Sequence, residues 1–319
     1  MLKMIRKIKS WICFRINQWN QLNKIQQIIS YNENDLKSHK VNLGQIQSHL
    51  NSQKESIKDL SEVEFQVFSQ WGDDGIIQYL TSKIEIPNKT FIEFGVENYK
   101  ESNTRFLLIN NNWTGYIIDG SEENVSFIRK DTISWACELH CECAFITREN
   151  INDLINKVGF DPEMGILSID LDGNDYWVWE AVDSVNPAIV ITEYNSLFGK
   201  NTLWTVPYDP SFVRSEKHNS WIYYGASLGA LDRLASKKGY SLIGCNSKGN
   251  NAYFIRNDKL GIFKRKSVES AFVVSKFREA MVGHHRPSGK DRIKLIEGLD
   301  VVNVEDNTVV KINSKLIQY

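Results

Sequence analysis

The densest run of chemistry-bearing side chains is Ser168-Ile-Asp170-Leu-Asp172-Gly173-Asn174-Asp175-Tyr176, which closes an apolar stretch beginning at Ile166. Two carboxylates spaced two apart at the end of a buried strand suit a hard cation such as Mg2+ or Mn2+, and a turn at Gly173 would bring Asp175 near the same ligand. Such a cation orients substrate oxygens and lowers the cost of forming an alkoxide. The competing assignment makes Asp175 a helix cap and leaves Asp170 and Asp172 to polar loop packing. A second buried run ends in Thr192-Glu193-Tyr194-Asn195. Glu193 is placed there as a general base or a third metal ligand, and Asn195 as a group that orients a substrate hydroxyl; both could instead satisfy loop backbone. His218, in a polar stretch, has a reference pKa near neutrality and is the other candidate proton acceptor, against the competing reading of a surface histidine.

A cofactor site is expected at two further strand ends. In Phe91-Ile-Glu93-Phe-Gly95 the glycine lets backbone approach a nucleotide-like ligand, and in Asp119-Gly120-Ser121 the carboxylate can accept both ribose hydroxyls. The dinucleotide fingerprint G-x-G-x-x-G is absent, so Glu93, Gly95, Asp119, Gly120 and Ser121 fit S-adenosylmethionine better than NAD. After Gly95 the chain reads Val-Glu-Asn-Tyr, with no second glycine. Trp204, Tyr208, Trp221, Tyr223 and Tyr224 supply enough ring surface to line a carbohydrate pocket or to pack a folded lid.

The elements that must position these residues alternate. Strands are expected at Phe91–Phe94, Gly115–Asp119, Ala144–Thr147, Ile166–Asp170, Ala188–Glu193, Tyr240–Gly244 and Asn251–Arg256, with helices between them, which is the pattern of an open α/β sheet covered on both faces. Residues 1–60 read as a basic, amphipathic helical or weakly coiled-coil extension with a break near Tyr31–Asp35. Residues 61–256 read as the catalytic domain. Residues 257–319 read as an appendage with a basic helix at Lys266–Ala280 and a hairpin of Val301–Val304 with Thr308–Ile312.

The chain has 319 residues, 42% hydrophobic and 24% charged, and a formal net charge of -1, which excludes a disordered chain and a small disulfide scaffold. The charge is uneven: the first thirty residues hold no acid. Neither basic stretch interleaves with a nucleic-acid-reading module, so nucleic acid is not favoured as a partner. Five cysteines, an odd number, indicate a reducing compartment and a cytoplasmic protein. Cys137, His140, Cys141 and Cys143 admit a zinc reading, although strand packing explains them more simply. No apolar run is long enough to span a bilayer. The first sixteen residues can form an interfacial helix with Met1, Ile5, Ile8, Trp11 and Ile12 on one face, which allows peripheral contact at the inner membrane surface; self-association into a homo-oligomer is the other expectation for the extension.

Taken as an ordered set, Phe68-Ser-Gln70-Trp71-Gly72-Asp73-Asp74-Gly75, Phe91-Ile-Glu93-Phe-Gly95, Ser102-Asn103-Thr104-Arg105, Gly115-Tyr-Ile-Ile-Asp119-Gly120, the Ser168–Tyr176 run, Val190-Ile-Thr-Glu193-Tyr194-Asn195 and Asn250–Arg256 resemble the FkbM-like branch of S-adenosylmethionine-dependent methyltransferases. The resemblance covers about residues 66–256. It implies a Rossmann-like seven-stranded sheet with six mainly parallel strands and a final antiparallel one, Glu93 and Gly95 receiving the cofactor, Asp119 its ribose, and the Asp170 region or Glu193 the acceptor. It also implies O-methylation of a carbohydrate hydroxyl in surface-glycan biosynthesis, on a glycan or glycan-precursor substrate. The alternatives are a metal-dependent sugar-nucleotide enzyme and a noncatalytic glycan-assembly scaffold.

Overall fold

The computed structural model describes residues 2–277, 280–284 and 286–319. They form two compact units, Met1–Ile46 and Gln47–Tyr319.

The first unit consists of most of helix α1, which runs from Leu2 to Ser52. The break expected near Tyr31–Asp35 is absent. That stretch contains neither proline nor glycine, and its Asn, Glu and Asp residues disfavour helix only weakly. The side chains of Met1, Ile5, Ile8, Trp11 and Ile12, on which the membrane-contact expectation rests, lie outside the described ones. Among the described residues, no helix is long and apolar enough to cross a membrane.

The second unit contains helices α2 (Asp73–Lys83), α3 (Arg105–Asn111), α4 (Glu122–Lys130), α5 (Ile133–Ala136), α6 (Ile151–Lys157), α7 (Asp175–Ala181), α8 (Arg214–Lys217), α9 (Leu228–Lys237) and α10 (Val268–Ala271). Its strands are β1 (Thr90–Phe94), β2 (Thr114–Asp119), β3 (Leu139–Cys143), β4 (Ile166–Ile169), β5 (Ile189–Glu193), β6 (Trp204–Thr205), β7 (Tyr240–Cys245), β8 (Asn251–Arg256), β9 (Asp300–Asn303) and β10 (Thr308–Lys311). Seven strands make one mixed sheet in the order β3-β2-β1-β4-β5-β8-β7. The first five are parallel, and β8 runs antiparallel to both its neighbours. This is the Rossmann-like methyltransferase sheet, with a helical N-terminal extension and a C-terminal appendage. A three-stranded sheet, β10-β9-β6, forms the appendage with the loop after β5.

Apolar sequence explains the central strands. All residues of β4 and β5 are buried, as expected of parallel strands covered by helices on both faces. One core lies on each face of the sheet, and a third, around Leu197, Phe198, Trp204, Ile222, Ile296 and Val301, binds the small sheet to the loops after β5. Register then decides what meets at the strand ends. Phe94 pairs with both Ile118 and Ile169, and Ile169 with Thr192. The next residues along the same rows are Gly95, Asp119, Asp170 and Glu193, so four strand ends deliver their functional residues to one line at the carboxyl edge.

Two expected elements are corrected. The third strand is not Ala144–Thr147 but the preceding Leu139–Cys143, which pairs with β2 from Gly115↔Leu139 to Asp119↔Cys143. Leu139 and Cys141 pack against the core there, while the thiol is pushed up to about 11, chiefly by burial. Among the described residues, the expected helix Lys266–Ala280 is limited to α10, capped by the Ser267 hydroxyl; residues 278–279 lie outside the described ones. The chain then extends through Phe272 and Val273, and Tyr194 donates its hydroxyl to the Val273 carbonyl at 2.6 Å, an acceptor lost to further helix. The hairpin of β9 and β10 forms as expected.

Candidate functional site

Gly95 ends β1 with φ +68°, and a Cβ there would sit 1.7 Å from the Asp170 carbonyl oxygen. Close passage of β1 past β4 therefore requires this glycine before any ligand is considered. The next turns use left-handed backbone without glycine: Glu97 and Tyr99 have φ 47° and 59°. Val96 and Tyr99 are buried in the core beside β1, while Val96 and Glu97 also line the cleft at the strand ends.

Glu93 is buried, and its carboxylate accepts from the Ser102 hydroxyl at 2.7 Å, the Asn103 amide at 2.9 Å, the Thr104 amide at 3.1 Å and the Thr104 hydroxyl. It anchors the loop before α3, and burial raises its pKa. Asp119 is held from both sides. Its Oδ2 accepts from the Glu97 amide at 2.7 Å, and its Oδ1 from the Ser121 amide at 2.9 Å and from Asn124 Nδ2 at 3.2 Å. Ser121 caps α4 through the Asn124 amide. Gly120 leaves ordinary van der Waals room beside Phe145. Asp119 and Gly120 border a cavity of about 180 Å3 whose walls also include Ile118, Ala144, Phe145, Ile146, Leu171 and Phe212; Ser121 is not among its lining residues, and Glu93 lines the larger cleft next to it.

A larger cleft of about 510 Å3 lies beside it and shares Gly95, Glu97, Asp170 and Asp172 with it. Asp170, Asp172 and Glu193 meet in this cleft, each with a carboxylate oxygen within 4.8 Å of the others'. Glu193 is 8% exposed and its Oε2 has no hydrogen-bond partner. Burial, and then the neighbouring Asp170, hold its pKa well above the ordinary value; Asp170 is raised by burial and then by Asp172. Asp172, with φ 53°, receives Arg214 Nη1 at 2.6 Å. The Arg214 guanidinium also lies 3.6 Å from the Tyr224 ring centroid, which joins α8 to the acidic group.

Not every expected residue arrives there. Asp175 closes the turn instead, its oxygens accepting from the Leu171 amide at 2.9 Å and the Gly173 amide at 3.0 Å, with burial pushing its pKa up to about 6. Asn195 is spent on backbone: Nδ2 donates to the carbonyls of Ile222 and Tyr224, and Oδ1 accepts from the Leu197 amide. His218 follows α8 with Nδ1 2.6 Å from the Ser220 hydroxyl, and it is not among the cleft-lining residues. Of the aromatic group, Trp221 lines the cleft at 44% exposure, whereas Trp204 and Tyr224 are in the third core and the Tyr223 hydroxyl donates to the Asp300 carbonyl. Sequence reasoning missed Arg214, Arg286 and Glu101 in the cleft wall, because isolated charges in loops carry no periodic signal.

Among solved structures, the chain is similar to the N-terminal domain of EvdMO1 with SAH bound, at 13% identity over 52% of this chain and 72% of that one, with a TM-score of 0.33. It is also similar to an S-adenosylmethionine-dependent methyltransferase from Clostridium acetobutylicum (12% identity, 52% and 83% covered, TM-score 0.32) and to PKMT2 from Rickettsia typhi in complex with AdoHcy (12%, 56% and 50%, 0.37). No family model matches the chain, and no curated protein does. The expected FkbM-like membership is corrected: no family model matches the chain, and what the structure shows is the seven-stranded Rossmann-like sheet. The residues behind that expectation have fold-level reasons to stand where they do: Gly95 clears a strand crossing, Glu93 ties a loop and Asp175 closes a turn.

Proposed function

We propose that this cleft transfers a methyl group from S-adenosylmethionine to a hydroxyl of a carbohydrate acceptor. The observation that carries the reading is the single row of Asp119, Gly95, Asp170 and Glu193 along the carboxyl edge of the sheet, beside two adjacent cavities. Open α/β sheets place ligands at that edge. The smaller cavity has an apolar wall for an adenine, and Asp119, fixed by three donors, stands where ribose hydroxyls would reach it. Bound there, S-adenosylmethionine supplies a sulfonium-activated methyl group.

The larger cleft receives the acceptor. Trp221 offers a ring face to a sugar, and Asp170, Asp172 and Glu193 point carboxylate oxygens at the reacting region. The unpartnered Glu193 oxygen and the all-carboxylate donor set fit Mg2+ or Mn2+, which would orient the acceptor and lower the cost of its deprotonation. A carboxylate has two oxygens, so Glu193 can hold a cation with one and take the hydroxyl proton with the other. His218 is given no role, because it does not line the cleft. Residues 61–256 carry this chemistry as the catalytic domain, with 1–60 as a helical extension and 257–319 as the appendage.

Isothermal titration of folded protein with S-adenosylmethionine tests the donor half. We expect saturable binding that weakens at least about ten-fold in Asp119→Ala, the loss of a charge-assisted hydrogen bond. Mass spectrometry of glycan fractions incubated with protein and donor tests the acceptor half. Absence of donor binding, or turnover of a nucleotide sugar without the donor, would overturn the reading.

A further inference from the structure

We propose that α1 associates in parallel and in register with the same helix of a second copy of this chain, forming a left-handed coiled coil from Leu22 to Leu50. Leu22, Ile29, Leu36, Leu43 and Leu50 recur at intervals of seven, and Ile25 and Ile46 follow their layers by three. These seven side chains are between 51% and 66% exposed on the chain by itself. Asn32 and His39 complete the three-four spacing and are exposed too. Sustained over four heptads, this spacing is the pattern of a coiled-coil seam.

The strict period identifies the kind of partner. On a straight α-helix a seven-residue stripe drifts by about 20° per heptad, so a stripe held to seven across four heptads matches a helix that supercoils with it and not a flat protein surface. The polar positions and charges identify the partner as another copy. In register, Asn32 meets Asn32 and His39 meets His39, so each buried polar group faces one that can hydrogen-bond with it; a foreign apolar groove would leave both unpartnered. Asp35 stands just before the Leu36 layer and Lys40 just after the His39 layer. In parallel pairing these flank the seam five residues apart, which sets Asp35 of each copy against Lys40 of the other. Leucine in the seven-spaced layer with isoleucine in the other also accommodates three or four strands, so the number of copies is read from the mass. The inference is independent of the methyl-transfer reading.

The test is light scattering and sedimentation of the full chain. The wild type is expected at an integer multiple, two or more, of 36.8 kDa. Leu36→Glu with Leu43→Glu is expected to return it to the monomer mass while its near-ultraviolet spectrum and melting of the Gln47–Tyr319 unit stay as in the wild type. Asp35→Lys alone is expected to weaken association roughly five-fold, and adding Lys40→Asp to restore it. A monomeric wild type overturns the proposal, including one that instead floats with anionic vesicles. An assembled double-glutamate variant, or a charge swap without recovery, overturns it as well.

Discussion

Glu193 ends a strand whose five residues are all buried, and one of its oxygens has no donor within reach. A carboxylate in that position is disfavoured by its own desolvation and by Asp170, which makes it a stronger base when ionised and a liability to the fold. The two effects separate in Glu193→Gln. Methyl transfer is expected to fall at least about 100-fold, the usual worth of a positioned proton acceptor. Stability measured by urea unfolding in a chelator is expected to rise by about 1 kcal/mol at neutral pH. The direction follows from linkage. The folded pKa lies above the unfolded one, so the wild type's contribution from this group is complete at acid pH and is lost as pH rises, whereas the amide does not titrate. Equal activity in the variant would remove Glu193 from the chemistry, and a stability loss would mean that an unseen donor satisfies it.

Helix α9 shows how an element ties the site's covering loop to the sheet. The Ser227 hydroxyl accepts from the Ala230 amide, capping the helix, and from the Trp204 amide, and it donates to the Thr202 carbonyl. One side chain thus joins a helix start to β6 and the small sheet. Ser227→Ala is expected to cost about 2 kcal/mol, the upper end for an N-cap, since buried partners lose their bonds together. Urea unfolding measures it; a cost under about 0.5 kcal/mol would show that the cap is replaceable. Asn195 does the same work one loop earlier, which is why a residue with the right chemistry for substrate contact is consumed by the backbone at 222–224.

Across the whole molecule, buried carboxylates couple folding to pH. Asp73 accepts from Asn246, Asn251 and Tyr253, which ties the start of α2 to β8 and its turn. Asp74 gathers segment 67–69, accepting through Oδ2 from the amides of Val67, Phe68 and Ser69 at 2.7–2.8 Å, yet burial outweighs these bonds and pushes its pKa up to about 6. A raised folded pKa means stability that is full below the unfolded value and lost as pH climbs through the folded one. The stability of the wild type minus that of Asp74→Asn is therefore expected to decline from about pH 4 to beyond pH 6 and then level off. Urea midpoints across that range measure it, and a difference that is flat or rises with pH would contradict the assignment.

Sequence alone sufficed for the central parallel strands and their ends, because a strand buried on both faces must be a continuous apolar run and the first carboxylate after it marks where it leaves the sheet. Phe91–Phe94, the Ile166 run and the Ile189 run were legible for that reason, as were the strand-end residues Gly95, Asp119, Asp170 and Glu193. Local pattern was a poorer guide where partners are distant. Leu139–Cys143 became a strand through its register with β2, and the residues after Ala271 left helix because Tyr194 claimed their backbone. Tertiary structure likewise decided which acids share the cleft: pairing of β4 with β5 aligned Asp170 with Glu193, the turn consumed Asp175, and Arg214 reached Asp172 from 42 residues away. Burial and hydrogen-bond supply are properties of the assembled surroundings, and no window of sequence contains them.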